Sequence, residues 1–489
     1  MKIKEKTVYE IWKERKFREA LTTSDLQAIE VVDTGIQNKD LAGPDFLNVR
    51  IKFGNITYLG DVEIDSKYSD WKSHGHYFDK KYSKVILHIT LSSENHQPYV
   101  YTKDKRKVHS VCILDFIDEA LGTTLLRAVQ NELKNRTFKM PCKDRNSVIS
   151  NKEKVNFIVE LGIERFLNKS RKILERAKQL IYLKEMNIRE PIVRYDFGED
   201  FTNKKYKPKD FSDTLIWQQI IYEMIFEALG FSKNKEMMFK LAKTVNVEYL
   251  NKFVENENFL QMIESALLNV GGLIPEKISF KEEKTSEYVR ELIEIWENLK
   301  SDYDGIYLKQ EQWNFFKLRP QNFPTIRIAG GARLIKQLLN EQLFEDLIKL
   351  FEKESYPKDN AATLRNLLVV EAEGFWSDHY VFDKSASEKL NYFVGISRVD
   401  EIVINVLLPV LSVYFEIFSK TDSVRRVKEL YINYNQKTSN QLVNQVNSTL
   451  LLGRAREKSI IYQGMIELFR KYCVKEKCLE CKIGTKVFN

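Results

Sequence analysis

The sequence predicts an α+β protein: an N-terminal αβββαβ mixed-sheet domain, then a large all-helical domain that ends in a cysteine cluster. Three observations carry this. Segments rich in β-branched and aromatic residues are confined to about the first 115 positions. From about residue 150 onward, apolar residues recur every three to four positions. Only 10 prolines and 19 glycines punctuate 489 residues, too few for a loop-rich sandwich or barrel.

The elements follow in order. "TVYEIWKERKFREAL" opens on a Thr cap and places Val8, Ile11, Trp12 and Phe17 at helical spacing. The strands are "LQAIEVVD" (26–33), "FLNVRIKF" (46–53), "ITYLGDVEID" (56–65), "KVILHITL" (84–91) and "VHSVCIL" (108–114), with "DWKSHGH" starting a helix between the third and fourth. Residues 1–116 form this domain, and 117–150, with Pro141 and Cys142, form a connector. Residues 151–470 form the helical domain, with "NFIVELGIERFLNKSRKILERAKQLIYL" and "DTLIWQQIIYEMIFEALG" as clear helices, the second closing at Gly230. Residues 471–489 are a cysteine-rich tail expected to pack on the connector. No repeat of fixed period appears.

Composition bounds function only loosely. The length calls for two or three domains. No run of about 18 apolar residues offers a membrane span, and "MKIKEKTVYEIWKERKF" has no apolar signal core, so a cytoplasmic protein without a membrane partner is expected. A net charge of +8, from 77 basic and 69 acidic residues, permits polyanion binding without demanding it. The clusters "KERKFR" (13–18), "KDKRK" (103–107), "KSRKILERAK" (169–178) and "RAREK" (454–458) could follow a phosphate backbone, although each alone reads as a solvated face.

The chemistry gathers near the N-terminus. His74, His76, His88, His96 and His109, five of the 6 histidines, lie in the strand-rich region beside Asp45, Glu63, Asp65, Asp70 and Asp79. Carboxylates on neighbouring strands repel one another unless a divalent cation offsets their charge, so the cluster reads as a metal site. Taken singly, Asp65, Asp70 and Asp79 read as solvated groups, and His88, alternating with Leu87 and Ile89, reads as a structural histidine.

Two resemblances extend this. "GPDFLNVRI", "GDVEID", "SDWKSHGHYFDKKYSKVILHI", "RPQNFPTIRIAGGARLI", "FWSDHYVFDK" and "YCVKEKCLECKIG" make the chain resemble, over nearly its whole length, the bacterial domain-of-unknown-function 2851 family, which carries no established activity. The order of a helix bearing Glu10, a Pro-Asp at Asp45 and a Glu-x-Asp at Glu63 and Asp65 resembles the PD-(D/E)xK nuclease core. That resemblance implies Asp45, Glu63 and Asp65 as Mg²⁺ or Mn²⁺ ligands, with Glu10 auxiliary. Asp65 stands where the motif has Lys. Lys67 falls on the same face only if the strand continues, and His74 or His76 is the alternative for positioning water. Register matters too. A two-residue Gly54-Asn55 turn sets Asp45 opposite Ile64, whereas a three-residue loop at 53–55, or an irregularity at Gly43-Pro44, sets it opposite Glu63.

The expected function is therefore a divalent-metal-dependent nuclease hydrolysing phosphodiesters of DNA or RNA. The alternatives are a catalytically inactive module binding nucleic acid or a protein partner, and a hydrolase of a small phosphoester. "FWSDHYVFDK" reads as interdomain packing, and the Gly330-Gly331 pair as preceding a helix able to receive a phosphate. Cys473, Cys478 and Cys481 are spaced C-x4-C-x2-C, three thiols that suit metal better than disulfides, with Cys142 as the fourth ligand. The arrangement resembles nuclease families in which such a set holds an iron–sulfur cluster, and Zn²⁺ is equally compatible with four thiolates.

Overall fold

Helix α1 (Glu5–Glu14) turns Tyr9, Ile11 and Trp12 onto one face of a mixed β-sheet, where they meet Phe46, Val49, Ile51, Val62, Ile64, Leu87, Ile89 and Val111. The computed structural model of the chain describes residues 5–15, 21–23, 27–38, 43–91, 96–116, 140–190, 195–275, 282–315, 318–382, 384–386, 388–437, 440–453 and 457–488. It divides into two units, Met1–Lys139 with Phe315–Lys317, and Met140–Asn314 with Leu318–Asn489. The architecture is α+β, strands first and helices after.

Eight strands of the first unit are described: β1 (Leu21–Thr22), β2 (Ala28–Asp33), β3 (Ile36–Gln37), β4 (Phe46–Phe53), β5 (Ile56–Asp65), β6 (Val85–Thr90), β7 (Tyr99–Tyr101) and β8 (Lys107–Cys112). Seven run in the order β1-β2-β4-β5-β6-β8-β7, and β3 pairs with β4. β2, β4 and β5 are antiparallel, whereas β5, β6 and β8 are parallel. The connection from β5 to β6 holds only a single helical turn, α2 (Asp70–Ser73), and a 3₁₀ turn at Lys80–Tyr82, not the longer helix expected. It covers the second face of the sheet with Trp71 and Tyr82, against Val85, Val100 and Val108.

The register resolves the turn question differently from expectation. Phe53 pairs with Ile56, so Gly54-Asn55 is the two-residue turn and the three-residue loop does not form. The compensating irregularity lies inside β4. Pairing slips between Phe46↔Val62 and Val49↔Gly60, where Asn48 takes φ +57° and its N–H donates to Asp61 Oδ1 at 3.1 Å. The extra residue of this bulge brings Asp45 opposite Glu63. Gly35, at φ +71°, permits it, because a Cβ there would lie 2.3 Å from the Leu47 carbonyl oxygen.

In the second unit, α3 (Asn151–Glu185) begins at a Ser150/Glu153 capping box and is the spine. α4 (Thr214–Leu229), capped by Asp213 and closed at Gly230, is buried nearly all round. Gly330-Gly331 lies within α5 (Pro324–Leu339), not before a helix. Cβ atoms there would press on Phe393 and Phe226, so the pair serves close packing. "FWSDHYVFDK" packs inside this unit: Phe375 stacks on Tyr288 and on His379, with Trp376 and Phe382 alongside. α6 (Ser459–Leu468) crosses α3 at Gly162 and Gly464, each facing the other helix's backbone. Among the described residues, no helix is long and apolar enough to cross a membrane.

Candidate metal centre

Alternation along β5 sends Val62 and Ile64 into the α1 core and leaves Asp61, Glu63 and Asp65 to the other face. All three are buried. In the parallel register Glu63 adjoins His88, and His88 adjoins Ser110. His88, at 0% exposure, places Nε2 3.2 Å from Asp65 Oδ2 and Nδ1 3.0 Å from Ser110 Oγ, which in turn lies 3.0 Å from His96 Nε2. It is a structural histidine, as the alternation suggested, and its acceptor is the site carboxylate.

The turn after α2 supplies two more imidazoles. His74 Nδ1 lies 3.1 Å from Asp65 Oδ1 at the solvent edge. His76 is buried between the carboxylates, Nδ1 3.4 Å from Asp65 Oδ2 and Nε2 3.6 Å from Glu63 Oε1. Tyr82 stacks on its ring at 4.1 Å and Trp71 meets it edge-on, fixing its plane. Trp71 is itself held by Nε1 donating to the Tyr101 carbonyl.

Charge follows burial and partners. Burial alone would raise the Asp65 carboxyl, but His74, His76 and His88 together hold it well below the usual carboxylate range. Burial lowers His76 despite Asp65. Burial raises Tyr82, as do Glu63, Asp79, Asp45 and Asp65 around it, so its hydroxyl stays protonated; that hydroxyl has no hydrogen-bond partner among the described residues. An ionised Asp65 beside a His76 ring held towards its neutral form is the protonation pattern that cation binding requires.

The expected residues divide. Asp65 and His74 come together, joined by His76, as donors all within 4.8 Å of one another. Separations of 3.1 and 3.4 Å suit the edges of a polyhedron with metal bonds of about 2.1 Å. Nitrogen with oxygen fits Mn²⁺ or Zn²⁺ better than Mg²⁺, which prefers oxygen alone. Glu63 stands beside the trio, with Oε2 accepting the Asp45 N–H at 3.0 Å. Asp45 is a brace: Oδ1 accepts from the Tyr9 hydroxyl at 2.5 Å and Oδ2 from the Ile64 N–H at 3.1 Å. The strand continuation that Lys67 needed does not occur. β5 ends at Asp65, and Lys67 is exposed in the following turn, its N–H capped by Asp70. Glu10 lies in α1, its side chain outside the described residues. Tyr9 and Asp61 were not anticipated. Tyr9 sits one position before the predicted ligand, and Asp61 carries a period-2 signal shared with Glu63 and Asp65.

The four expected cysteines also meet. Cys142, Cys473, Cys478 and Cys481 line one cavity of the helical unit with Met140, Leu450, Leu468 and Ile483. Burial and the neighbouring thiols push Cys142 up to about 11 and Cys473 up to about 12.

Among known proteins, the chain matches the family model described as "Protein of unknown function (DUF2851)" over residues 5–194 and 207–440. No curated protein and no solved structure matches it. With most of its length inside that family model, the chain belongs to the DUF2851 family.

Proposed function

We propose that the N-terminal unit is a divalent-metal-dependent phosphodiesterase acting on DNA or RNA. The observation that carries this reading is the convergence of Asp65, His74 and His76, beside Glu63, on one face of the sheet. The order of elements supports it: α1, the antiparallel β2-β4-β5, then β6 parallel to β5, with Asp45 leading β4 and Glu63 near the end of β5, as in a PD-(D/E)xK core.

Held there, a divalent cation would polarise a phosphate oxygen and lower the pKa of a bound water. Asp65, His74 and His76 would hold it, and His88 keeps Asp65 oriented from behind. Glu63 offers Oε1 towards the same space, where it can take a proton, and the buried Tyr82 hydroxyl is an available donor for an anionic oxygen. The segment bearing the histidines also exposes Lys72, Lys80 and Lys84 beside Tyr77 and Phe78, the cation-and-aromatic mixture that grips single strands.

Purified protein with Mn²⁺, Zn²⁺ or Mg²⁺ should cut at least one of a set of single-stranded, duplex and structured substrates. Glu63→Gln and His76→Gln should abolish cutting. Cleavage at the parental rate in both variants would remove the assignment. A second reading, a silent module that only binds nucleic acid, draws on Asp65 in the lysine position and Lys67 off the strand. Binding without cleavage under every metal would favour it, and metal binding without any polynucleotide affinity would favour a small phosphoester substrate.

A further inference from the structure

The cysteine cavity lies wholly within the helical unit and owes nothing to the N-terminal chemistry. Cys142 stands just before α3, whereas Cys473, Cys478 and Cys481 follow α6, so about 330 residues separate the ligands that fold together. The tail is fastened to α3 by Lys471–Glu164, Lys482–Glu160 and Lys486–Glu153 ion pairs. Gly484 lets it close, since a Cβ there would lie 2.0 Å from the Cys478 carbonyl oxygen.

We propose that Cys142, Cys473, Cys478 and Cys481 hold an iron–sulfur cluster, of the four-thiolate kind, that locks the two ends of the helical unit together. The spacing favours a cluster over one zinc ion. Zinc bonds of about 2.3 Å bring four sulfurs within about 4 Å of each other. Among the described residues, the one group of three or more such donors gathered within 4.8 Å is Asp65, His74 and His76, so no three of the four thiols gather that closely.

Two features of the surroundings independently suit an anionic centre. The first is Lys154, whose ammonium is buried beside Cys142 and donates only to neutral acceptors among the described residues, Asn146 Oδ1 at 2.7 Å and the Leu450 carbonyl at 3.2 Å. A buried cation without a carboxylate is costly, and a tetrathiolate cluster, net negative, supplies the missing countercharge. The second is the pair of backbone N–H groups at Ile483 and Gly484 that hydrogen-bond the Cys481 sulfur, the contact that tunes cluster thiolates. Asn146 fixes the Cys142 turn by donating to the Cys142 and Thr449 carbonyls.

Anaerobic purification of the full chain should give brown protein with about four iron and four sulfide per chain. Cys478→Ser, at the least buried of the four positions, should lose most of the iron and lower the melting temperature of the helical unit. Cys112→Ser, in β8 of the other unit, should keep its iron. Colourless protein with stoichiometric zinc would overturn the cluster. So would metal-free protein whose melting is unchanged in Cys478→Ser, or iron lost equally from Cys112→Ser.

Discussion

Replacing Asp65 with Ala tests whether one carboxylate organises the histidines. Asp65 is the shared partner of His74, His76 and His88. Two of the three, His76 and His88, are buried and would face an apolar methyl group, whereas exposed His74 would turn to water. A buried polar group stripped of its partner costs about 1–3 kcal/mol, so His88 gives about that, with the longer 3.4 Å His76 contact adding less and His74 little. Urea unfolding read by hydrogen exchange at β5 and β6 amides isolates the N-terminal unit from the helical one. Asp65→Asn, which keeps one acceptor oxygen, should lose about half as much. Coupling between Asp65→Ala and His88→Phe should reach at least about 1 kcal/mol in a double-mutant cycle. Strict additivity, or a loss below about 1 kcal/mol in Asp65→Ala, would refute the carboxylate as hub.

Other consequences can be checked separately. Wild-type protein at a hundredfold excess of Mn²⁺ over its Kd should gain about 2.7 kcal/mol in the same exchange experiment, and Asp65→Ala should gain nothing. Arg176 forks onto Glu223, at 2.8 and 2.7 Å, and reaches Glu190 at 2.6 Å; Arg176→Ala should cost the helical unit about 3–5 kcal/mol in denaturant melts, because Glu223 stays buried without its partner. Glu190 would be raised by burial, but Arg176 and Lys243 bring it below the usual carboxylate range. Its contribution is therefore complete above that range and lost as pH falls through its depressed value, a loss that acid titration of the melting temperature should show in wild type and not in Glu190→Gln. Gly464→Ala, which sets a Cβ 2.0 Å from the Ile158 carbonyl oxygen, should cost about 1–3 kcal/mol, and a neutral result would mean that α3 and α6 do not touch as described.

Much of the first unit was legible because its strands advertise themselves. "FLNVRIKF" and "ITYLGDVEID" became β4 and β5 at the predicted bounds, and β2, β6 and β8 lie within two residues of theirs. Short β1, β3 and β7 gave no periodic signal, since two or three residues cannot show one. The bulge at Asn48 was hidden for another reason: it is held by Asp61 across the sheet and by Gly35 beneath it, neither of which is local. Asp45, Glu63, Asp65 and His74 were readable as a cluster, but the division of labour was not. Which carboxylate braces and which receives the histidines depends on Tyr9 arriving from α1 and His88 from β6. Lys67 failed on a strand boundary, where Asp70 capping its N–H ends β5 sooner than alternation suggests. The cysteine grouping came from spacing alone, and the fourth member from its place in the connector between the domains, Cys112 lying instead in an apolar strand.

The crossing of α3 by α6 has a consequence for synthesis. α6 is made about 300 residues after α3 begins, and at about 5–20 residues per second that is a delay of roughly 15–60 s. Throughout it, the stripe of α3 that includes Ile158, Leu161 and Gly162 has no α6 to cover it, although the N-terminal sheet has already emerged whole. The nascent chain must therefore carry a complete N-terminal sheet and an unfinished spine together. Occupancy of ribosome-associated chaperones should rise once α3 leaves the exit tunnel and fall only when α6 follows it.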